Sequence, residues 1–162
     1  MSKARNPNRA GKRPESNREY PQFPLVGIGA LIIDGNSIVL IRRANPPAAG
    51  EWSIPGGLVR LGETLVEAVE REAIEETGLE VEPILMLELL ERIFPDDRGR
   101  IRYHYVLADY VCKITGGALR AGTDALEARW VDRGDLDALA LASITDRVVR
   151  KAFALQGHND TV

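Results

Sequence analysis

The chain has 162 residues, of which 44% are hydrophobic and 28% charged, with a formal net charge of −3. This length and composition suit one compact domain with a single sizeable core. No apolar run is long enough to span a bilayer, which argues against a helical membrane protein. The single cysteine, Cys112, cannot form an intrachain disulfide, and this fits a reducing, cytoplasmic location.

The opening segment differs in composition from the rest. Up to Glu19 it holds six basic and two acidic residues and no hydrophobic stretch, so it does not resemble a secretory signal. We predict a disordered basic tail over residues 1–20 and a folded domain over 21–157. The body that remains is acidic, which argues against a nucleic-acid-binding surface.

The predicted elements alternate between strands and helices. Apolar and β-branched runs indicate strands, and apolar residues at helical spacing indicate helices. In chain order we predict strands over 25–33 and 37–42, a loop over 46–50, a helix over 64–77, strands over 81–94, 101–114 and 128–131, and a helix over 144–155. The sequence therefore predicts a mixed α/β domain.

The first predicted helix has clear start and stop signals. Thr64 with Glu67 three residues later is the pattern of a capping box, in which both side chains satisfy backbone N–H groups. Gly78 follows the last turn, where a glycine accepts the left-handed conformation that closes a helix. We therefore expect a helix from about 64 to 77.

Two glutamates of this helix lie on its apolar face. At about 100° per residue, Glu72 and Glu76 fall within the same narrow arc as Leu65 and Val69. Glu67 and Glu70, by contrast, project to the opposite side, where solvent is expected. Carboxylates held against a core are costly unless a cation lies between them. Oxygen ligands of this kind suit Mg²⁺ or Mn²⁺ bound together with a phosphate substrate.

The helix and the turn before it resemble the Nudix box, which reads G, five residues, E, seven residues, R-E-U-x-E-E-x-G-U, with U a bulky aliphatic residue. The matching positions are Gly57, Glu63, Arg71, Glu72, Glu75, Glu76, Gly78 and Leu79, with Ala73 at a usually larger aliphatic position. The resemblance extends from about residue 24 over most of the chain, including Trp52 and the Pro55-Gly56-Gly57 turn. It implies the Nudix fold, a three-layer α/β/α sandwich with a mixed β-sheet.

The resemblance also implies roles for the box residues. Glu72 and Glu76 would bind the metal ion directly, Glu75 would be a ligand or a metal bridge, and the carbonyl of Gly56 would join them. Arg71 lies beside this cluster, where it can orient a carboxylate through a charge-assisted hydrogen bond. The general base would be Glu72 or a carboxylate outside the box.

Five further residues outside the helix are candidates. Some Nudix branches recruit a carboxylate from late in the chain, and we prefer Glu127 to Asp124 for that role, with a solvated loop acid as the alternative for both. Arg42 and Arg43 end the second predicted strand on opposite sides, so one of them can reach a substrate phosphate. Glu63 is expected to hold the loop before the helix by an ion pair or a water.

For the substrate, one more spacing is informative. Nudix proteins typically hydrolyse a nucleoside diphosphate linked to another group, and in the ADP-ribose pyrophosphatase branch a proline follows the box by sixteen residues, where this chain has Pro95. We therefore predict hydrolysis of ADP-ribose or a related nucleoside diphosphate derivative to AMP and a sugar phosphate, with the loop from Pro95 to Gly99 bordering the pocket.

The alternatives are a nucleoside triphosphate pyrophosphatase of the sanitising type and a catalytically idle nucleotide-binding module. The intact carboxylates argue against the idle module. The oligomeric state stays open, although many members of the family form homodimers.

Overall fold

The structure is a computed structural model that describes residues 18–159. In chain order the elements are strands β1 (Leu25–Asp34), β2 (Ser37–Arg43), β3 (Trp52–Ser53) and β4 (Gly56–Leu58), helix α1 (Leu65–Thr77), strands β5 (Leu79–Pro95), β6 (Ile101–Gly117) and β7 (Ala125–Asp132), a 3₁₀ helix (Arg133–Leu139) and helix α2 (Ser143–Asn159).

Within the described residues the strands form one mixed sheet of seven, in which β3, β2, β1, β6 and β5 are successive neighbours, β4 pairs with β1 and β7 with β2. Strands β1 and β6 run parallel, whereas the other pairs are antiparallel. The sheet forks along β1. Residues 27–29 of β1 pair with β4, and Ile33 and Asp34 pair with β2.

Alternation along β1 builds a core on each face of the sheet. Ile28, Ala30 and Ile32 pack with the apolar face of α1, while Leu31 and Ile33 pack with α2. Because successive side chains of a strand point to opposite faces, one strand serves both cores. The two helices thus enclose the sheet, which confirms the predicted three-layer α/β/α fold.

Several boundaries differ from the prediction. Strands β5 and β6 extend to 79–95 and 101–117, because they pair with each other along almost their whole lengths. The 3₁₀ helix and the short strands β3 and β4 were not predicted. Neither short strand is long enough to show a periodic pattern, and a run as short as this 3₁₀ helix gives a weak periodic signal.

The residues just before the predicted start of the domain contact strand β6. Glu19 accepts hydrogen bonds from Arg102 and Tyr103, and the Tyr20 backbone N–H donates to the Arg102 carbonyl. The ordered contacts therefore begin before residue 21. The rest of the predicted tail, residues 1–17, lies outside the described part of the chain.

Across residues 18–159, no helix is both long and apolar enough to cross a membrane. Cys112, the only cysteine of the chain, is buried with a free thiol.

Candidate active site

A cavity of about 500 Å³ opens beside the carboxylate-bearing face of α1. It reaches from that helix across β4 and β1 to β5, β6 and the start of α2. Its polar lining includes Glu72, Glu76, Asp109, Asp124, Arg18, Arg43 and Arg92, and its aromatic lining includes Trp52, Phe94 and Tyr105. A volume of this size is typical of a pocket that binds a small molecule.

The predicted separation of the faces of α1 is largely confirmed. Glu76 is only 6% exposed, and the Glu72 side chain is 13% exposed; both line the cavity. Glu67 is exposed and forms the capping box with Thr64, each side chain accepting from the other's backbone N–H. Glu70 is half-buried rather than fully exposed and does not line the cavity.

Glu76 is held against the backbone of β4. Its Oε2 accepts a hydrogen bond from the Gly56 N–H at 2.7 Å. Burial, with a smaller contribution from the nearby Glu72 carboxylate, raises the pKa of Glu76 to about 8. In the metal-free protein this carboxyl group therefore resists ionisation, as expected where a cation would otherwise be bound.

Glu72 lies directly against Gly57, where a β-carbon would overlap its carboxylate. This close approach explains why a glycine occupies that position before the helix. Burial raises the pKa of Glu72 even though Arg71 donates a hydrogen bond to Oε1 and opposes the shift.

Arg71 connects the helix to the preceding loop. Its Nε and Nη2 donate to the two carboxylate oxygens of Glu63 at 2.6 and 2.9 Å, and Nη2 also donates to the Leu58 carbonyl at 3.1 Å. Glu63 is thus engaged in an ion pair, as expected from the sequence, which lowers its pKa. It does not line the cavity, so the geometry does not support a direct contact between Glu63 and a substrate.

Glu75 lies at the edge of this network. Its side chain is 43% exposed, and its carboxylate accepts from Arg60 at 3.1 Å and from Arg71 at 3.2 Å. Like Glu63, it does not line the cavity.

The C-terminal end of α1 is completed by the chain segment that follows β6. Gly78 adopts the left-handed conformation, the Arg120 N–H donates to the Thr77 carbonyl at 2.9 Å, and the Gly122 N–H donates to the Glu76 carbonyl at 3.0 Å. A β-carbon on Gly122 would overlap the Glu75 carbonyl. This tight fit brings Asp124 to the cavity, where its charge also raises the pKa of Glu76.

The register of β7 places Glu127 away from the cavity. Glu127 pairs with Arg42 of β2, and both are exposed on the outside of the sheet, with the Arg42 Nε donating to the Gly50 carbonyl. Glu127 lies 3.9 Å from Arg129 and does not line the cavity. The loop carboxylate at the cavity is Asp124.

Successive side chains of a strand point to opposite faces, and this separates the two arginines that end β2. Arg43 lines the cavity, and its buried Nε has no hydrogen-bond partner among the described residues. Arg42 does not line it. Sequence alternation predicted that one of the pair would face the site but could not tell which.

Strand β5 contributes residues to the cavity wall that the sequence did not predict. Leu90, Arg92 and Phe94 alternate along it and line the cavity, whereas Pro95 and residues 96–99 do not. The expectation that the 95–99 loop borders the pocket is therefore wrong, because the strand continues to Pro95 and its inward residues precede the loop. Burial lowers the pKa of Arg92, whose guanidinium lies 4.9 Å from the Phe94 ring centroid.

The residues present fit a hard divalent cation by their chemistry. Glu72 and Glu76 supply carboxylate oxygens, and Asp124 lies close enough to influence Glu76. Oxygen donors of this type suit Mg²⁺ or Mn²⁺. Within residues 18–159, no three Asp, Glu, His or Cys side chains form a preassembled cluster.

Asp124→Asn and Glu127→Gln form a matched pair of loop variants. We expect Asp124→Asn to lower turnover at least about tenfold, because its carboxylate faces the cavity beside Glu76. Glu127→Gln should retain the turnover of the unmodified protein. Steady-state kinetics at saturating Mg²⁺ would check both, and the opposite ranking would return the role to Glu127.

In the metal-free protein, Glu76 should make the fold less stable as the pH rises. The carboxyl group titrates near 8 in the folded chain against an ordinary value of 4.5. Between these values the folded state keeps a proton that the unfolded state has lost, so the free energy of unfolding falls with increasing pH. Below this window the contribution is constant. Urea unfolding in EDTA across the window should show a shallower pH slope for Glu76→Gln, and equal slopes would contradict this.

Comparison with known proteins agrees with this geometry. A NUDIX domain family model matches residues 24–152. An ADP-ribose pyrophosphatase of Methanocaldococcus jannaschii is 39% identical over 117 residues, covering 72% of this chain and 67% of that protein. The human 8-oxo-dGDP phosphatase NUDT18 is 30% identical over 131 residues, covering 78% of this chain. The chain spans only 38% of the length of that human relative.

Solved structures show the same architecture. A MutT NUDIX hydrolase from Burkholderia pseudomallei superposes with a TM-score of 0.69 at 30% identity, covering 80% of this chain and 98% of that one. A NUDIX hydrolase from Nitrosomonas europaea, at 18% identity and a TM-score of 0.68, shares the fold over 82% of this chain. The chain therefore belongs to the NUDIX family and is a MutT-like Nudix hydrolase.

Proposed function

We propose that this protein is a metal-dependent pyrophosphohydrolase that cleaves the diphosphate of ADP-ribose, or of a related nucleoside diphosphate derivative, to AMP and a sugar phosphate. The observation that carries the proposal is the presence of both carboxylates and arginines on one cavity. Glu72 and Glu76 of α1 and Asp124 of the loop between β6 and β7 line it together with Arg43 of β2 and Arg92 of β5.

This combination of carboxylates and arginines suits a diphosphate bound through a cation. The carboxylates of Glu72 and Glu76 are costly to ionise without a positive partner, whereas Arg43 lines the same cavity and has no acceptor for its Nε among residues 18–159. A phosphate between them would satisfy both, since guanidinium groups bind phosphate oxygens with strong, directional hydrogen bonds. Mg²⁺ or Mn²⁺ held by Glu72, Glu76 and the Gly56 carbonyl would neutralise phosphate charge and lower the pKa of a water molecule.

The residues of the chain would then divide the work. Arg43 and Arg92 would bind and orient the diphosphate, so that its phosphorus faces the carboxylates of α1. Glu72 or Asp124 would accept the proton of the attacking water. Arg71 and Glu63 would act indirectly, by holding the Glu72 carboxylate in place. Positioning and charge stabilisation account for most of the catalysis in phosphoryl transfer.

A second candidate substrate is an oxidised nucleoside diphosphate, because the human relative is named an 8-oxo-dGDP phosphatase and matches 78% of this chain. A nucleoside triphosphate, cleaved with release of pyrophosphate, is the third candidate substrate. The archaeal relative, with higher identity and greater coverage of its own length, favours ADP-ribose.

The test is a comparison of specificity constants. Purified protein with Mg²⁺ or Mn²⁺ is assayed on ADP-ribose, ADP-glucose, 8-oxo-dGDP and nucleoside triphosphates, with products separated by anion-exchange chromatography. We expect the highest kcat/KM for ADP-ribose, with AMP and ribose 5-phosphate as products. A higher value for 8-oxo-dGDP or for a triphosphate would overturn the substrate assignment and leave the metal site standing.

A further inference from the structure

Asp109 of β6 is a buried carboxylate that the chemistry above does not use. It is 6% exposed and lines the same cavity. Among the described residues it receives no hydrogen bond and forms no ion pair, whereas Glu88, directly opposite on β5, pairs with Arg147 and Lys151. Burial, together with the charge of Glu88, raises the pKa of Asp109 to about 6. An acid that lines a cavity and has no partner among residues 18–159 is available to pair with a bound ligand.

The sheet places Asp109 in line with the catalytic carboxylates. Asp109 pairs with Gly29 of β1, and Gly29 pairs in turn with Gly56 of β4, whose N–H donates to Glu76. Adjacent strands lie about 4.8 Å apart, so two strand spacings, about 10 Å, separate Asp109 from Gly56. Asp109 and Glu76 thus mark the two ends of a row.

The middle of this row is Gly29, and the Asp109 carboxylate lies directly over it. A β-carbon on Gly29 would overlap that carboxylate and Ile54, and one on Gly56 would overlap the backbone of Ile28. Both glycines and Asp109 line the cavity. A ligand in this cavity with its phosphates near Glu76 can therefore reach Asp109 with its other end.

We propose that Asp109 is a specificity-determining residue that accepts a hydrogen bond from an N–H or O–H donor on the nucleoside part of the substrate. This inference rests on the proposed function, since it concerns the same cavity. A carboxylate has two acceptor oxygens, which suit the amino group of a base or the hydroxyl groups of a ribose. It selects against groups that present only acceptors, because a buried acceptor left unpaired costs binding energy.

The role predicts opposite effects on binding and on stability. Asp109→Asn keeps the shape and removes the charge, so nucleotide affinity should fall about tenfold or more, the scale of one hydrogen bond to a charged group. Its melting temperature at pH 8 should rise, because the variant no longer buries an ionised group. A purely structural role would lower the melting temperature instead. Asp109→Ala should show the same loss of affinity.

The experiment is calorimetric titration of the full chain with AMP, GMP and CMP in the presence of Mg²⁺, which does not depend on turnover. Two analogues locate the donor: purine riboside 5′-monophosphate lacks the amino group of AMP, and 2′-deoxy-AMP lacks one ribose hydroxyl. The analogue that lacks the contacted group should bind Asp109→Asn and the unmodified protein equally.

Glu88→Gln is the matched control, because Glu88 faces Asp109 across the strands but does not line the cavity. It should leave nucleotide affinity unchanged. The proposal is overturned if no nucleotide loses affinity in Asp109→Asn, including the case in which none binds, or if the variant melts at a lower temperature. If ADP-ribose is not hydrolysed but AMP binding depends on Asp109, the proposed reaction fails and this inference stands.

Discussion

Glu76→Gln should lower turnover by at least about a hundredfold while the fold remains intact. The substitution keeps the shape of the side chain and its hydrogen bond from the Gly56 N–H, but it removes the charge that a cation requires. A loss of this size is typical when one charged group that stabilises the transition state is removed. The measurement is kcat at saturating Mg²⁺, with circular dichroism to check the fold.

The matched controls lie on the same helix. Glu67→Gln and Glu70→Gln change the charge of α1 equally but do not touch the cavity. Both should keep their turnover and their dependence on Mg²⁺, although Glu67→Gln should lose up to about 1 kcal/mol of stability as the capping box weakens. Near-normal turnover of metal-saturated Glu76→Gln would refute the assignment of this face.

Arg71→Met should impair both stability and catalysis. The side chains of Arg71, Glu63 and Glu72 are all less than 15% exposed. In the variant, the two glutamate carboxylates would lose their main cationic partner. Because the cluster is not fully buried, we expect a loss of about 2–3 kcal/mol in the free energy of unfolding, somewhat less than for a fully buried pair. Turnover should also fall, because Glu72 would no longer be held in one orientation.

Arg71→Lys separates charge from geometry. An ammonium group cannot reproduce the two parallel hydrogen bonds to Glu63 together with those to Glu72 and Leu58. We expect it to recover part of the stability and little of the turnover. Chemical denaturation and steady-state kinetics measure the two effects, and full activity in Arg71→Lys would show that charge alone suffices.

The sequence predicted those parts of the site that belong to one regular element. Glu72 and Glu76 follow from helical periodicity, and the capping box and Gly78 follow from local backbone chemistry, so their positions needed no tertiary information. The choice between Asp124 and Glu127 did need tertiary information. It depends on the register of β7 against β2, which no local pattern determines.

Arg92 and Asp109 were missed for a related reason. Each is a charged residue at an inward position of a long strand, and its burial depends on which strands lie beside it. Asp109 stands between Ala108 and Tyr110 in a run that reads as an ordinary strand. The signal that would have identified Asp109 is a single charged residue within an otherwise apolar strand run.

The capping of α1 by residues 120–122 affects how the domain assembles. The carbonyls of Glu76 and Thr77 receive their donors from Gly122 and Arg120, which follow β6, so these hydrogen bonds form only after β5 and β6 have returned the chain to the helix. We therefore expect the C-terminal end of α1 to form in the late, cooperative part of folding, since contacts between distant parts of the chain cost loop-closure entropy before they stabilise the fold. Native-state hydrogen exchange should show the Arg120 and Gly122 amides opening together with the last turn of α1, as one unit.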